Sequence, residues 1–498
     1  MLSTGLLLIA TAAALTAVAL SVTDVSGQIR WGAIALGVFC TGLLLVMAAL
    51  VGFGGLGLGA GRIGAWSLVW SSVAFGAATI SQLGPQTGPT AEILPESILR
   101  ALWLIAVAMA LFTWGYCAGP RGLSGTLARR TAGALTSRFT DDIRGPGVPW
   151  ILFTTGIAAQ LTLAVVSGHL GYVGAGYVTT SATPGYSQFL ALLGQCIPLS
   201  VAAAAVRAYQ TRLRTAWLTL AVLFTAAVIA GAVAGGKTSF VVAILAVLIP
   251  HAVIRRRFPV GLPVISIAVF LLVVIPFNQA YRVSARGAVT LSTGAAVASA
   301  PAIASKVLSS DLSPAVLGES ARSLIERVSS IGSPAIIMQR TPGQIPYASP
   351  GELVVSPVLD LIPRILWPGK PVLDVGYQMS QEYFQLPPQE YTSSAITTEG
   401  DLYRHGGWVV LVVGMFLIGW GARVIDDIAD LRRSIQGLFL IILVFPDLVQ
   451  SASDCSTLLA GIPGTVLLWL GVVALSFNRF RRGRPWPEAR ASAMAARS

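Results

Sequence analysis

The chain has 498 residues, of which 54% are hydrophobic and only 11% are charged, and its mean hydropathy is +0.75. A soluble domain carries about 25% charged residues, so this composition excludes an ordinary soluble globular protein. The formal net charge of +12 comes from arginine-rich segments between apolar runs. It indicates contact with anionic membrane lipids, and we expect no nucleic-acid partner.

Apolar runs recur along the whole chain, and each is close to the roughly 20 residues needed to cross a bilayer core. Lipid cannot satisfy open backbone groups, so the spans must be helices. We therefore predict an all-α polytopic membrane protein with about 12 transmembrane helices. The predicted spans are 2–22, 31–53, 64–83, 98–118, 149–166, 187–206, 215–234, 239–254, 260–277, 407–423, 435–451 and 456–477. For the first span a cleaved signal peptide is the alternative, which the absence of a preceding Lys or Arg disfavours.

Basic residues predict the orientation of these spans, because cytoplasmic loops are enriched in Lys and Arg. Most of them fall in alternate connections and in the tail, which together place both termini in the cytoplasm. The predicted organisation is nine spans with short loops over 1–277, an extracytoplasmic loop carrying the site over 278–406, three spans over 407–477, and a basic cytoplasmic tail over 478–498.

The stretch GAVAGGKT, residues 231–238, fits the phosphate-loop pattern G-x-x-x-x-G-K-[ST]. That pattern binds nucleotides when it joins a buried strand to a helix. Here it lies between two apolar spans, on the face predicted to be outside, where ATP is not available. We therefore reject nucleotide binding. Two interpretations of Lys237 remain: a lysine that snorkels to the interface, or a ligand for a lipid-linked phosphate beside free backbone amides.

The predicted outer loop, 278–406, is rich in Pro, Ser and Gly, yet contains stretches with helical spacing of apolar residues, such as SPAVLGESARSLIERVSSI. A loop of this length is improbable as bare coil, so we expect a cap or re-entrant structure over the spans. Its positive and negative charges are nearly balanced. An anion site in the loop must therefore be built from particular residues.

The first such stretch is IPRILWPGKP, residues 362–371. Three prolines and a glycine fix its backbone, and Arg364 and Lys370 are spaced to converge on one anion. Trp367 supplies an interfacial or sugar-stacking ring. The alternative is a Pro- and Trp-rich turn at the bilayer surface whose cations snorkel.

The second stretch is SSAITTEGDLYRHGG, residues 393–407, which runs into the tenth span. A carboxylate or imidazole beside an arginine can act as an acid or base, or can hold a sugar hydroxyl. The alternative is a polar helix cap supplied by Thr397 or Thr398. The concentration of ionisable groups at a membrane boundary favours a functional site. These groups are Glu399, Asp401, Tyr403, Arg404 and His405.

These stretches resemble the Wzy-type oligosaccharide repeat-unit polymerases, which are O-antigen polymerase-like membrane proteins. That family shows a glycine-plus-basic turn between two spans, here Gly235-Gly236-Lys237. It continues with an I-P-R-x-L-W-P-x-K-P stretch, matched by IPRILWPGKP, and a T-x-x-G-E/D-x-Y-x-x-x-G stretch, matched by TTEGDLYRHGG. The specific match covers roughly 231–421. The family more often has Arg in the turn, and commonly has Asn-Phe-Gly where this chain has Arg404-His405-Gly406.

The resemblance implies a GT-C-like glycosyltransferase at the outer face of a bacterial cytoplasmic membrane, acting on undecaprenyl-diphosphate-linked glycans. Cationic side chains would neutralise the diphosphate leaving group, so we expect neither a metal nor another cofactor. The expected diphosphate ligands are Lys237, Arg282, Arg286, Arg364, Lys370 and Arg404. The expected acid–base groups are Glu399, Asp401 and His405, with His169 as a further candidate. The expected sugar-binding residues are Trp367 and Tyr403.

The expected partners are a polyprenyl-diphosphate-linked oligosaccharide and membrane lipids, with a chain-length regulator and a flippase as further candidates. Three alternatives remain: an O-antigen ligase-like glycan transferase, a transporter or flippase of lipid-linked sugars, and a structural scaffold. A transporter commonly shows internal repeats and charges near the membrane midplane, which this chain largely lacks. The four cysteines have no paired spacing, so we predict no disulfide framework and no metal site.

Overall fold

The fold is a bundle of long apolar helices, seen here in a computed structural model. The structure describes residues 27–53, 62–84, 91–118, 123–167, 186–233, 237–255, 328–362, 375–387, 394–431, 435–450 and 454–479, with isolated positions between 266 and 370. The first helices are α1 (Gln28–Ala48), α2 (Ile63–Ser71), α3 (Pro95–Ala118), α4 (Leu123–Arg138), α5 (Val148–Ser167), α6 (Ser187–Gly194), α7 (Cys196–Thr211), α8 (Arg214–Val233) and α9 (Lys237–Arg255). The later helices are α10 (Gly332–Arg340), α11 (Glu352–Leu361), α12 (Val375–Gln378), α13 (Thr398–Arg404), α14 (Gly407–Ala429), α15 (Gln436–Gln450) and α16 (Cys455–Ser476). Short π-helices follow α1, α2 and α12, at Ala49–Phe53, Ser72–Gly76 and Met379–Tyr383, and a 3₁₀ helix covers Ala77–Leu83.

Nine helical segments in the described part of the chain are long and apolar enough to cross a membrane. A shorter apolar helix covers Gln436–Val449. Together they coincide with ten of the predicted spans, and the chain is a membrane protein built from helices. The predicted span 2–22 lies outside the described residues, and 260–277 lies almost wholly outside them.

The ten predicted spans that the structure describes differ from the observed helices mainly at their ends. The span predicted at 187–206 is the pair α6 and α7, which extends to Thr211 and is interrupted at Gln195. The tenth predicted span continues beyond 423 to Ala429; within this extension Asp426 accepts a hydrogen bond from the Ile63 amide, and Asp427 pairs with Arg423 of the same helix.

The helix α15 lies at the centre of one apolar core, together with α7, α8 and α9. Its residues from Leu438 to Phe445 are all buried. A helix that is apolar and buried on every side is characteristic of the centre of a bundle. A second core joins α1, α2 and α3 to α10 and α13.

Glycines let two of the spans approach each other closely. A methyl group at Gly419 of α14 would collide with the carbonyl oxygen of Phe112 in α3, and one at Gly115 of α3 would collide with the carbonyl oxygen of Phe416. In lipid, where no hydrophobic force drives helices together, such small residues allow the backbone contact that holds them. The crossing of α3 and α14 thus depends on both glycines.

The two ends of the bundle differ in chemistry. At the arginine-rich end, which we define by Arg62, Arg214 and Arg255, the half-buried Asp426 of α14 receives three hydrogen bonds. They come from the backbone amides of Ile63 (3.0 Å) and Gly64 (3.4 Å) and from the Tyr116 hydroxyl (2.7 Å). A carboxylate at a helix start satisfies amides that the helix itself cannot. Asp426 therefore caps α2 and ties three spans together.

A two-stranded antiparallel sheet at the same end was not predicted. Strand β1 (Phe139–Ile143) pairs with β2 (Phe477–Arg479), which follows α16 directly. The Gln210 amide donates to the Asp141 carbonyl (2.9 Å), and the Gln436 amide donates to the Thr140 carbonyl (2.8 Å). These bonds give β1 the partners that a strand of only five residues needs.

The opposite end, which we call the hairpin end, is where α8 ends and α9 begins. Here the described part of the predicted outer loop packs onto the spans. Ile331, which precedes α10, and Ala335, Ile336 and Ile337 within it are buried against α3 and α13. The described helices α10 and α13 thus form part of the second core, as expected for a loop that is not bare coil.

Candidate functional site

The helix α13 places the predicted acid–base residues inside the bundle. Thr397 precedes it with extended backbone angles, and its side-chain oxygen accepts a hydrogen bond from the Gly400 amide (3.2 Å). This is the geometry of a helix N-cap, so the helix-cap interpretation is confirmed for Thr397. Every residue of α13 is buried.

The carboxylate of Asp401 is held by several partners at once. The Arg404 guanidinium donates to its Oδ1 from Nε (3.2 Å) and from Nη2 (3.0 Å). The backbone amide of Cys455, the first residue of α16, donates to Oδ2 (2.9 Å). His405 Nδ1 lies 2.8 Å from the Asp401 carbonyl oxygen and 3.3 Å from Oδ1. These contacts connect α13 to the start of the last span.

The charges of this cluster shift two pKa values in opposite directions. Burial would raise the pKa of the Asp401 carboxyl, but the hydrogen bond from His405 and the charge of Arg404 outweigh it and lower that pKa. Burial would lower the pKa of the His405 imidazole, but its hydrogen bond to Asp401 and the charge of Asp401 outweigh it and raise that pKa. The geometry therefore favours an ionised Asp401 beside a protonated His405.

A second ion pair lies next to this cluster and was not singled out in the sequence. Arg340, at the end of α10, is 6% exposed, and its Nη2 lies 2.8 Å from the carboxylate of the exposed Glu92. Across the cluster, His405 Nε2 lies 3.6 Å from the carboxylate of Glu352. Nothing in the residues around Arg340 distinguishes it from the other cations of the loop, so the sequence carried no signal for it.

The predicted sugar-binding residues differ in their surroundings. The Tyr403 ring makes edge contacts with Tyr347 and with Trp408, each at a centroid distance of 6.1 Å. Burial and the hydrogen bond with Tyr347 raise the pKa of Tyr403 to about 12. Trp367 is 38% exposed. Its role and that of Tyr403 in binding sugar stay predictions.

Only some of the predicted cationic residues lie in the described part of the chain. Lys370 is buried, and its backbone amide donates to the Trp367 carbonyl (3.1 Å), which closes a turn in the IPRILWPGKP stretch. Lys237 is the first residue of α9, and its side chain lies outside the described part. Arg282, Arg286, Arg364 and His169 also lie outside the described residues.

A cavity of about 170 Å³ lies beside the end of α8 and the start of α9. Its polar lining comes from Gln160, Gln195, Thr238 and Ser239, and the remainder is apolar. A methyl group at Gly231 would lie 2.7 Å from the Ser239 Cβ. Gly231, the first glycine of the GAVAGGKT stretch, thus allows α8 and α9 to contact each other beside the cavity.

A smaller cavity lies where α13 meets the centre of the bundle. It is lined by Glu399 and Thr398 of α13, by Ser67 of α2 and by Asp447 of α15, among apolar side chains. Glu399 is fully buried. Asp447 is an ionisable residue within the predicted span 435–451, and no motif in the sequence assigns it to the site.

One turn of α15 separates the two cavities. Pro446 lines the cavity at the hairpin, and the next two residues, Asp447 and Leu448, line the cavity at Glu399. The hairpin and the TTEGDLYRHGG segment, which are far apart in the sequence, therefore lie on two sides of the same helical turn.

Metal binding and disulfide formation have no candidate groups in the described residues. No cluster of three or more His, Cys, Asp or Glu side chains there could hold a metal ion. The cysteines Cys40, Cys117, Cys196 and Cys455 are free thiols. The described polar and ionisable side chains at the hairpin end include carboxylates, an imidazole, guanidinium groups, an ammonium group, amides and hydroxyls.

Comparison with known proteins gives one match. No curated protein and no solved structure matches the chain. A family model described as "Domain of unknown function (DUF8712)" matches residues 157–451. This region runs from α5 to just past the end of α15 and includes the hairpin, the described part of the outer loop and α13. Since the match covers more than half of the 498 residues, the chain belongs to the DUF8712 family.

Proposed function

We propose that this protein is a glycosyltransferase that polymerises polyprenyl-diphosphate-linked oligosaccharide repeat units at the outer face of a bacterial cytoplasmic membrane. The observation that carries the proposal is the placement of the two cavities on either side of the Pro446–Leu448 turn. A substrate of several sugar rings that lies across the end of α15 would lie beside both of them. The resemblance of the three quoted stretches to Wzy-type polymerases supplies the reaction.

The diphosphate would bind at the hairpin. The first amides of α9 lack helical partners, and the positive end of a helix dipole favours an anion there. Lys237 adds a positive charge at the same position. With Arg364 and Lys370 of the outer loop, it would stabilise the negative charge that develops on the diphosphate as the glycosidic bond breaks.

Glu399 is the stronger candidate for the base, because the contacts of Asp401 already serve the fold. In the reaction, the acceptor hydroxyl oxygen bonds to the anomeric carbon and the bond from that carbon to the diphosphate oxygen breaks. The hydroxyl proton passes to the Glu399 carboxylate, and the polyprenyl diphosphate leaves with the bonding electrons. Asp447, across the same cavity, would keep the environment of Glu399 polar.

The test is a profile of lipid-linked glycans in a strain whose own gene is replaced by variants. Removing a general base lowers a rate by about 10²–10⁴-fold, so we expect Glu399→Gln to leave single repeat units on the carrier. Lys237→Ala should shorten the chains in the same way. The control is Glu382→Gln, because Glu382 is an exposed carboxylate outside both cavities, and its chain lengths should equal those of the parent.

Three results would contradict the proposal or the site assigned to it. A deletion strain that still makes full-length polymer would exclude both a polymerase and a ligase. Single units confined to the inner leaflet would instead indicate the transporter alternative. Parent-like chains in both Lys237→Ala and Glu399→Gln would exclude these residues from the site.

A further inference from the structure

The cavity at the hairpin is polar without being charged. Its polar side chains are two amides, Gln160 and Gln195, and two hydroxyls, Thr238 and Ser239. No described lining residue carries a formal charge. Each amide offers both donors and an acceptor, and each hydroxyl offers both as well. Such a set matches a ligand whose own groups both donate and accept hydrogen bonds, as sugar hydroxyls do.

The size of the cavity limits the ligand to about one ring. A cavity of roughly 150 Å³ holds one benzene molecule, and the present cavity of about 170 Å³ admits one six-membered ring. Its other walls include Ile197, Pro198 and Val242. Apolar walls with a few placed polar groups are the usual composition of a small-molecule site, and here they would contact the C–H faces of a sugar ring.

A lipid tail fits this cavity poorly. An acyl or prenyl chain would cover the amides and hydroxyls without bonding to them, and each uncompensated polar group costs about 1–3 kcal/mol. Gln195 and Ser239 are exposed, so the polar wall can be reached from the surface of the bundle. The Gln160 side chain lies close to Gly194, because a methyl group at Gly194 would be 3.3 Å from its Cγ.

We propose that this cavity is a subsite for one uncharged sugar residue of the glycan, bound by Gln160, Gln195, Thr238 and Ser239. The assignment rests on the proposed function and narrows it. In this arrangement the diphosphate interacts with Lys237 and the start of α9. The sugar residue bonded to the diphosphate occupies the neighbouring cavity at the hairpin. The enzyme would then select its substrate by recognising an uncharged sugar residue next to the polyprenyl diphosphate.

The experiment measures binding without glycan transfer. The full-length chain carrying Ala191→Cys and Cys117→Ser, purified in detergent, reacts with a small water-soluble maleimide; Ala191 is exposed and lines the cavity without being one of its four polar residues. The substitution at 117 removes the exposed native thiol, and the other three cysteines are buried. The probes are the methyl glycosides of glucose, galactose and mannose, and N-acetylglucosamine. Sorbitol serves as the osmotic control and sodium pyrophosphate as the anionic probe.

Bound sugar slows labelling by the factor 1 + [L]/Kd, which is about tenfold at ten times the dissociation constant. We expect at least one sugar to give this protection and sorbitol to give none. Adding Gln160→Leu should remove the protection. Adding Gln344→Leu should leave it unchanged, because Gln344 is exposed and lies outside the cavity.

Protection by pyrophosphate but by no sugar would overturn the proposal in favour of an anion site. The absence of protection by any sugar in a folded, monodisperse protein would overturn it as well. These results differ from a failure of the proposed function. Protection in a chain that makes no polymer would reject the polymerase alone, whereas polymer formation without protection would reject the subsite alone.

Discussion

Replacing Asp401 by asparagine removes a buried negative charge while keeping the size of the side chain. The Arg404 side chain, which pairs with it, is 11% exposed, and the Asp401 side chain is 1% exposed. Solvent therefore screens the pair weakly, and Asp401→Asn strands a guanidinium group in the protein interior. Breaking a buried ion pair by removing one partner costs about 3–5 kcal/mol.

The expected magnitude lies at the lower end of this range. The asparagine oxygen can still accept one of the bonds that Asp401 accepts from Arg404 and from the Cys455 amide. We therefore expect Asp401→Asn to lower the free energy of unfolding by about 3 kcal/mol. The assay is SDS-induced unfolding of the purified chain in mixed micelles, followed by circular dichroism.

Two variants complete this test. Glu382→Gln changes an exposed carboxylate, and its effect should stay within about 0.5 kcal/mol. Combining Asp401→Asn with Arg404→Met removes the stranded charge and should restore a large part of the lost stability. An Asp401→Asn protein that unfolds at the same SDS fraction as the parent would refute the view that this carboxylate holds α13 to α16.

Two further predictions concern packing and pH. Gly419→Ala should lower the free energy of unfolding by about 1–3 kcal/mol, since its methyl group meets the Phe112 carbonyl; Gly421→Ala, on the same helix with open space around it, should be neutral or slightly stabilising. Equal stabilities of these two variants in SDS titrations would contradict the close crossing. The raised pKa of His405 means that its protonated form adds stability, which is fully present below about pH 6.5 and lost as pH rises through the folded pKa. The lowered pKa of Asp401 adds stability that is present above about pH 3.9 and lost as pH falls through its folded pKa. His405→Gln should flatten the alkaline part of the stability profile, and an unchanged profile from pH 6 to pH 9 would count against the pair.

The membrane helices could be predicted from the sequence because their signal is local. Each span is a run of apolar residues of the required length, and that length is set by the bilayer rather than by the rest of the protein. The observed α3 and α16 begin within a few residues of their predicted starts. Their ends were harder to place, as in α14, where Asp426 continues the helix because it finds partners at Ile63 and Tyr116.

The arrangement of the candidate site could be predicted only in part. The ionisable residues of 399–405 were identifiable because they are adjacent in the sequence. The different roles of these residues could not be predicted, because each role depends on contacts with helices that are distant in the sequence. The Cys455 amide fixes Asp401, whereas Glu399 lines a cavity that also contains Asp447. No local pattern indicates which carboxylate meets a helix start and which meets a cavity.

The pair of strands at the arginine-rich end has a consequence for how the protein is made. Ribosomes deliver β1 long before β2, which leaves the translation machinery only after the last span. Until then β1 lacks its neighbouring strand, although Gln210 and Gln436, which donate to its carbonyl oxygens, have already been synthesised. The individual helices can therefore insert in chain order, but the pairing of β1 with β2 is a late event in biogenesis that requires residues 477–479.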